Sequence, residues 1–302
     1  MLERNGIIIM DKEIAMSVIL ITGSNSGIGL ATALHLGSKG HRIYASMRNL
    51  ERGDNLRDRA GAAGLDIKVC QADVNDETSI KDCVNNIIEN DGRIDVLVNN
   101  AGIGPLGTIE EMDDAASKAI FETNFFGALR AIRAVLPSMR GQQSGVIVNI
   151  SSVAGRVASN CMGIYSASKF ALEAASESLA QELVPFGVRV AIVEPGFIST
   201  PILDAALQSV AEETSYPAAT ERIKALFMHG KQVGESPERV AETIEFAIND
   251  TGNALRYPVG DGARAFVEGR TRMTDEYWVA MGRHKTVEDY FQEFAERFPP
   301  PT

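Results

Sequence analysis

Residues 17–40 read SVILITGSNSGIGLATALHLGSKG: an apolar run, a glycine-rich turn and a helical pattern in immediate succession. The run SVILIT is mostly β-branched and suits a strand buried on both faces. LATALHLGSKG carries the helical pattern and stops on Gly40. Between them Gly23, Gly27 and Gly29 permit a tight turn, close backbone approach and close strand–helix packing. A helix that begins at such a turn aims its first amides and positive dipole end forward, which suits a pyrophosphate. Strand, turn and helix in that order are the context such a fingerprint requires. The spacing G-x-x-x-G-x-G differs from the commoner G-x-G-x-x-G.

The alternation continues outward from this stretch. RIYASM (42–47) leads into a charged helix starting near Asn49, and DIKVCQAD (66–73) into a helix with an acidic first turn that closes on Gly92. DVLVNN (95–100), a helical region from about Asp113 to Arg140, and GVIVNIS (145–151) follow. After the segment holding Tyr165 come VRVAIVEPG (188–196), a helix near Ser236 to Asn249, and LRYPVG (255–260). Seven strands alternating with helices imply right-handed βαβ units. The expected fold is α/β: a doubly wound, Rossmann-type seven-stranded parallel sheet with helices on both faces.

No linker divides residues 17–302, so one domain is expected. Residues of about 197–235 lack a strand signal and follow a strand's carboxyl end, where a substrate loop or lid sits. An extension over about 261–302 carries Trp278 and two helix-like segments, expected to pack on the domain or line the same crevice. Residues 1–16 read as a leader. Its run GIIIM is too short for a signal peptide or a membrane span, and Met10 and Met16 are alternative starts.

Composition narrows the function. The chain has 302 residues, 45% hydrophobic and 23% charged, an ordinary globular profile. A net charge of −11 argues against a nucleic-acid partner, which would show a basic stripe. Cys70, Cys83 and Cys161 form no C-x-x-C pair and are odd in number, so a reducing, cytoplasmic setting is expected. His35, His41, His229 and His284 are scattered without ligand spacing, so no metal site is expected.

IYSASKF (164–170) sets Tyr165 and Lys169 four residues apart, one turn of a helix, on a common face. A free phenol has a pKa of about 10. A neighbouring cation favours the phenolate, and lowering the pKa by two to three units takes roughly 3–4 kcal/mol. Such a pair can exchange a proton with a substrate oxygen.

TGSNSGIG (22–29), NNAG (99–102), NISS (149–152), YSASK and PGFIST (195–200), in this order, resemble the short-chain dehydrogenase/reductase superfamily from Ser17 to about Gly262. IYASMRN, VEPGFIST and LRYPVG are most similar to its branch of 17β-hydroxysteroid and retinol dehydrogenases and their bacterial relatives. The resemblance implies a catalytic tetrad of Asn124, Ser152, Tyr165 and Lys169, with Ser152 favoured over Ser151 by its spacing of thirteen from the tyrosine. In that scheme Tyr165 exchanges the proton and Ser152 hydrogen-bonds the same oxygen. Lys169 tunes the phenol and holds the nicotinamide ribose, and Asn124 positions a water. Cofactor contacts are implied for Thr22, Gly23, Asn25, Ser26, Gly27, Ile28 and Gly29. Asp73 with Val74 falls at the adenine, and Asn100, Ala101 and Gly102 border the adenosine. Pro195, Gly196, Ile198 and Thr200 fall at the nicotinamide.

At the end of the second strand Met47 stands where an acid would bind a ribose 2′-hydroxyl, and Arg48 follows. That favours NADP, with NAD the alternative, unless Arg48 merely heads the next helix. Phe197, Ile198, Ile202, Leu203, Phe227 and Met228 either wall an apolar pocket or pack the lid. The expected activity interconverts a secondary alcohol and a ketone or aldehyde carbonyl on a hydrophobic substrate. Rival readings are a non-catalytic dinucleotide sensor and an epimerase or dehydratase that uses bound cofactor transiently. Ala171, Ala174, Ala175 and Ser178 suit close helix packing, within the chain or in a homodimer or homotetramer.

Overall fold

In the computed structural model, residues 16–252, 254–260 and 262–298 are described. The expected leader therefore lies, apart from Met16, outside the described residues. Seven strands form one parallel sheet: β1 (Val18–Ile21), β2 (Arg42–Met47), β3 (Ile67–Gln71), β4 (Val96–Asn99), β5 (Gly145–Ile150), β6 (Val188–Pro195) and β7 (Arg256–Val259). All seven coincide with the apolar runs of the sequence. Their order is β3-β2-β1-β4-β5-β6-β7, so the direction of winding reverses between β1 and β4. In open parallel sheets that switch point opens a crevice at the carboxyl ends of the strands.

Period-two alternation sends the central strands into two cores. Ile19 and Ile21 join Ile43, Val98, Val148 and Val193 on one face, beneath Leu30 and Ala33 of α1 (Gly27–Ser38) and Val240 and Ile244 of α9 (Pro237–Asn249). Val18 and Leu20 join Leu97, Ile147 and Val190 on the other. There they are covered by α3 (Glu77–Asp91) and α5 (Gly127–Gln142). Burial on both sides explains why the strands read as continuous apolar runs. Gly92 ends α3 as the sequence indicates, at φ 73°, and the structure adds a cap: Asp76 accepts from the amides of Thr78 and Ser79.

Three differences from the sequence reading bear on the site. The helix expected across 113–140 is divided: α4 (Asp114–Phe121) runs through a π-turn, Glu122–Phe126, into α5. The segment expected as a lid contains α7 (Pro201–Gln208) and α8 (Pro217–Val233), each begun by a proline. Its base is closed by a parallel bridge between Ile198 and Glu235. The extension has three α-helices rather than two helical segments: α10 (Ala263–Arg272), α11 (Asp275–Ala280) and α12 (Val287–Arg297). Phe266 of α10 packs on Phe294 and Phe298 at the end of α12, with ring centroids 4.6–5.7 Å apart, and Trp278 of α11 meets Phe298 edge to face at 6.4 Å. The remaining helices are α2 (Asp54–Ala63) and α6 (Gly163–Leu183). No helix among the described residues is long and apolar enough to cross a membrane.

Candidate active site

A cavity of about 700 Å³ lies at the switch point. Its floor is the turn from β1 into α1. Gly23 adopts φ 70°, and a Cβ there would lie 2.9 Å from Ala101 Cα. A Cβ on Gly29 would lie 2.4 Å from the Gly23 carbonyl and 2.5 Å from Asn100 Nδ2. That closeness lets Asn100 Nδ2 donate to the carbonyls of Thr22 (2.9 Å) and Gly23 (3.0 Å). Thr22 Oγ1 accepts in return from the amides of Asn100 (3.0 Å) and Ala101 (3.1 Å). The turn and the start of the next segment are thus one hydrogen-bonded unit. Ser26 precedes α1 without a side-chain cap, and no acidic residue stands in its first turn. The helix presents unclaimed amides and a positive dipole end to the cavity, which fits an anion.

Of the cofactor residues expected from the sequence, Gly23, Asn25, Ser26, Gly27, Ile28, Arg48, Asp73, Val74, Asn100, Ala101, Gly102, Pro195, Gly196, Ile198 and Thr200 line this cavity. Thr22 and Gly29 do not; they stand behind it and hold its floor. Met47 is buried, whereas Arg48 is exposed at the cavity mouth beside Arg52. Neither arginine has an ion-pair partner among the described residues.

Ser152, Tyr165 and Lys169 meet in the cavity wall. β5 ends at Ile150, and Ser152 starts the short 3₁₀ turn Val153–Gly155, accepting from the Ala154 amide at 3.1 Å. Its hydroxyl lies 3.4 Å from the Pro195 carbonyl, to which it donates. Tyr165 and Lys169 lie on the first two turns of α6. Lys169 is 5% exposed, and its Nζ donates to the Ile150 carbonyl at 2.8 Å. That nitrogen stands 5.9 Å from the centre of the Tyr165 ring.

The protein's own groups shift these two residues in directions the sequence reading did not expect. Burial pushes the Tyr165 phenol up, and the Ser152 hydroxyl pulls it partly back. Burial pulls the Lys169 ammonium down to about 8, with Glu173 acting against it. The physical reason is that desolvation penalises each charged form, and the ammonium is turned to a backbone carbonyl instead of the phenol oxygen.

Asn124, expected in the same constellation, sits behind the wall and does not line the cavity. The π-turn inserts the residue that swings it inward. Its Oδ1 accepts from the Ile103 amide (2.8 Å), and its Nδ2 donates to the Ile103 carbonyl (2.9 Å) and Ser168 Oγ (3.1 Å). It therefore fixes the chain after Gly102. A Cβ on Gly102 would lie 3.3 Å from Asn124 Oδ1 and 3.7 Å from Lys169 Nζ, so those two atoms flank one spot.

The far half of the cavity is apolar. Phe197, Ile202, Leu203, Leu226 and Phe227 contribute from the lid, Val157 and Met162 from before α6, and Phe266, Phe294 and Phe298 from the extension. Met228, expected as a wall residue, is 51% exposed and outside the lining. The extension's contribution was foreseen without residues. The aromatic spacing Tyr290, Phe291, Phe294, Phe298 along one helical face was the signal that would have named Phe294 and Phe298; Phe266 carried no such pattern.

A doubly wound sheet whose switch-point cavity joins an anion-binding helix end to a Ser–Tyr–Lys group defines a nicotinamide-dinucleotide oxidoreductase. A family model described as short chain dehydrogenase matches residues 17–211, and this chain belongs to that family. It is 37% identical over 254 residues to retinol dehydrogenase 8 of Bos taurus, covering 80% of this chain and 81% of that one. It is 35% identical over 255 residues to 17-beta-hydroxysteroid dehydrogenase type 1 of Homo sapiens, covering 80% and 77%. Among solved structures, a short-chain dehydrogenase from Streptomyces avermitilis superposes with a TM-score of 0.75 at 32% identity, covering 89% of this chain and 99% of that one. A short-chain dehydrogenase/reductase from Burkholderia phymatum in complex with NAD gives 0.76 at 26% identity, covering 91% and 98%.

Proposed function

We propose that this protein interconverts a secondary alcohol and a ketone or aldehyde carbonyl on a hydrophobic substrate, with NADP as the preferred cofactor. The observation that carries the reading is the meeting of Ser152, Tyr165 and Lys169 at the junction of the glycine-floored and apolar halves of one cavity. The uncapped start of α1 suits the pyrophosphate, and Asp73, Val74, Asn100, Ala101 and Gly102 suit the adenosine. Pro195, Gly196, Ile198 and Thr200 suit the nicotinamide. When bound, the dinucleotide supplies or accepts the hydride.

The chain's own residues handle the proton. Tyr165 Oη donates to the substrate oxygen during reduction and withdraws the same proton during oxidation. Ser152 Oγ donates a hydrogen bond to that oxygen, where negative charge develops. Lys169 stands 5.9 Å from the centre of the phenol ring as a buried cation, offering its remaining N–H bonds to the ribose hydroxyls, while the Ser152 hydroxyl works against the upward push of burial on the phenol. Asn124 holds the segment beside the lysine. Closing Phe197 and Phe227, whose rings stack edge to face at 5.5 Å, over the reacting atoms would exclude water from the proton transfer.

Arg48 and Arg52 at the mouth, with a buried methionine in place of an acid, support NADP: a guanidinium pairs with a 2′-phosphate that a carboxylate would repel. The NAD-bound neighbour keeps NAD as the alternative. The relatives named for retinol and hydroxysteroid agree with an apolar alcohol as substrate class. On α6, Ala174 and Ser178 are exposed beside Phe170, and this face suits a homodimer or homotetramer contact. The test is a panel of apolar ketones, aldehydes and secondary alcohols followed by nicotinamide absorbance with each cofactor. Absence of turnover across the panel, with dinucleotide bound, would favour the sensor reading instead.

A further inference from the structure

Behind Lys169 a line of charges runs from the cavity wall into the protein, and beyond the lysine the reaction chemistry does not touch it. Glu173 follows Lys169 by one turn of α6 and is 4% exposed. Its Oε2 accepts from Arg256 Nε of β7 at 2.9 Å. Arg256 Nε also faces Glu194 Oε1 of β6 at 3.5 Å, and Glu194, 2% exposed, accepts from Arg156 at 3.0 Å. Glu177 touches Arg256 from the exposed side at 3.5 Å. The signs alternate from the cleft outward: lysine, glutamate, arginine, glutamate, arginine.

We propose that Glu173 is a positioning residue whose carboxylate, held by Arg256, is the buried counter-charge that keeps Lys169 an ammonium in the cleft wall. This rests on the reading of Tyr165 and Lys169 as the proton-handling pair. A fully buried ammonium is costly unless paired. Lys169 has no carboxylate on its own Nζ, which is spent on the Ile150 carbonyl. The groups around the pair are accounted for element by element. From α6 itself come Tyr165, Glu173 and Glu177; from the end of β5, Ser151; from β6, Glu194; from β7, Arg256; from the π-turn, the neutral Asn124 and Glu122, which pairs with Arg130 of α5. Arg156 follows the 3₁₀ turn, and Asp114 and Lys118 of α4 pair with each other at the surface. Glu173 is the carboxylate that opposes the lowering of Lys169 by burial.

The packing is built for that carboxylate. A Cβ on Gly155 would lie 2.6 Å from Ser151 Oγ, 3.1 Å from Glu173 Cγ and 3.3 Å from Lys169 Cβ, so the turn closes over all three side chains. Ser151 Oγ and Glu173 Oε1 are both buried without a hydrogen-bond partner. Burial pushes the Glu173 carboxyl up, with Glu194 adding to it, while the Ser151 hydroxyl and the Arg256 guanidinium pull it back toward the ionised form. Ser151 thereby has a place distinct from its neighbour Ser152.

Glu173→Gln removes the charge and keeps the shape. In the cofactor-free protein with ¹⁵N-labelled lysine, the Lys169 Nζ titration midpoint should fall by about one pH unit, the low end for a lost opposite charge. With an active substrate, the alkaline limb of carbonyl reduction should move down by the same amount, and Glu173→Asp should restore most of it. A merely structural role would lower the rate without moving the limb. An unmoved midpoint in a folded Glu173→Gln protein, or an equal fall in the Asp variant, overturns the proposal. The wild type gives a test free of any variant: Lys169 Nζ must show a second, acidic titration as Glu173 takes its proton, and its absence also overturns the proposal. Because these titrations need no turnover, they separate failure of the counter-charge from failure of the catalytic reading.

Discussion

Replacing Lys169 by Met isolates what burying that ammonium costs. Its pKa falls from 10.5 to about 8 on folding, chiefly through desolvation. At about 1.4 kcal/mol per pH unit, burial of the charged form costs about 3 kcal/mol below pH 8. The sign follows from proton counts: between 8 and 10.5 the unfolded chain keeps a proton that the folded chain has lost, so stability rises with pH across that window. By pH 9.5 about 2 kcal/mol of the penalty is relieved. A methionine in the same place has no such proton. The substitution also leaves the Ile150 carbonyl without its donor, a pH-independent cost of about 1–3 kcal/mol, so the difference at a single pH decides nothing. The slope does. Urea unfolding of wild type and Lys169→Met at several pH values from about 6.5 to 9.5 should give curves that converge or cross, the wild type gaining about 2 kcal/mol on the variant. Turnover should be lost throughout. Parallel curves would refute a depressed, buried lysine and with it the picture of a cation stored at the expense of stability.

Three further outcomes test other parts of the site. Tyr165→Phe should lower turnover by about 10²–10⁴-fold, the usual contribution of a positioned acid–base group, while dinucleotide binding followed by fluorescence is retained. Arg48→Glu should weaken NADPH by about tenfold or more relative to NADH, since a charged hydrogen bond worth about 1.5–3 kcal/mol gives way to repulsion. Gly29→Ala forces a methyl to within 2.4 Å of the Gly23 carbonyl, so stability should fall by about 1–3 kcal/mol in thermal unfolding and dinucleotide binding should weaken with it.

What the sequence could and could not disclose follows from where each cause lies. The strands were legible because parallel strands buried on both faces must be apolar throughout, as VILI, VLVN and GVIVNI are. The acidic first turn and Gly92 marked the ends of α3 by local chemistry alone. The π-turn was not legible, because what the extra residue accomplishes is the bonding of Asn124 to Ile103, 21 positions earlier in the chain. The lid helices carried a legible sign, Pro201 and Pro217 at their first positions, that an absent strand pattern obscured. Burial of Lys169 had no sequence sign at all, since a lysine on a helix face is most often solvated.

The same division separates two kinds of residue within the motifs. Thr22, Gly29 and Asn100 were expected at the cofactor and Asn124 as the holder of a water, and their observed bonds and contacts are chiefly to the backbone around the cavity. Thr22 and Asn100 lock the turn after β1 to the segment after β4, and Asn124 locks the next stretch at Ile103. The side chains proposed to carry the chemistry are few and stand on rigid elements: Ser152 just after a strand end, Tyr165 and Lys169 at the start of a helix of 21 residues. A site of this kind obtains its precision from bonds that never reach the substrate. Substitutions at Thr22 or Asn124 should therefore impair dinucleotide binding and turnover together through the geometry of the floor, unlike Tyr165→Phe, which separates them.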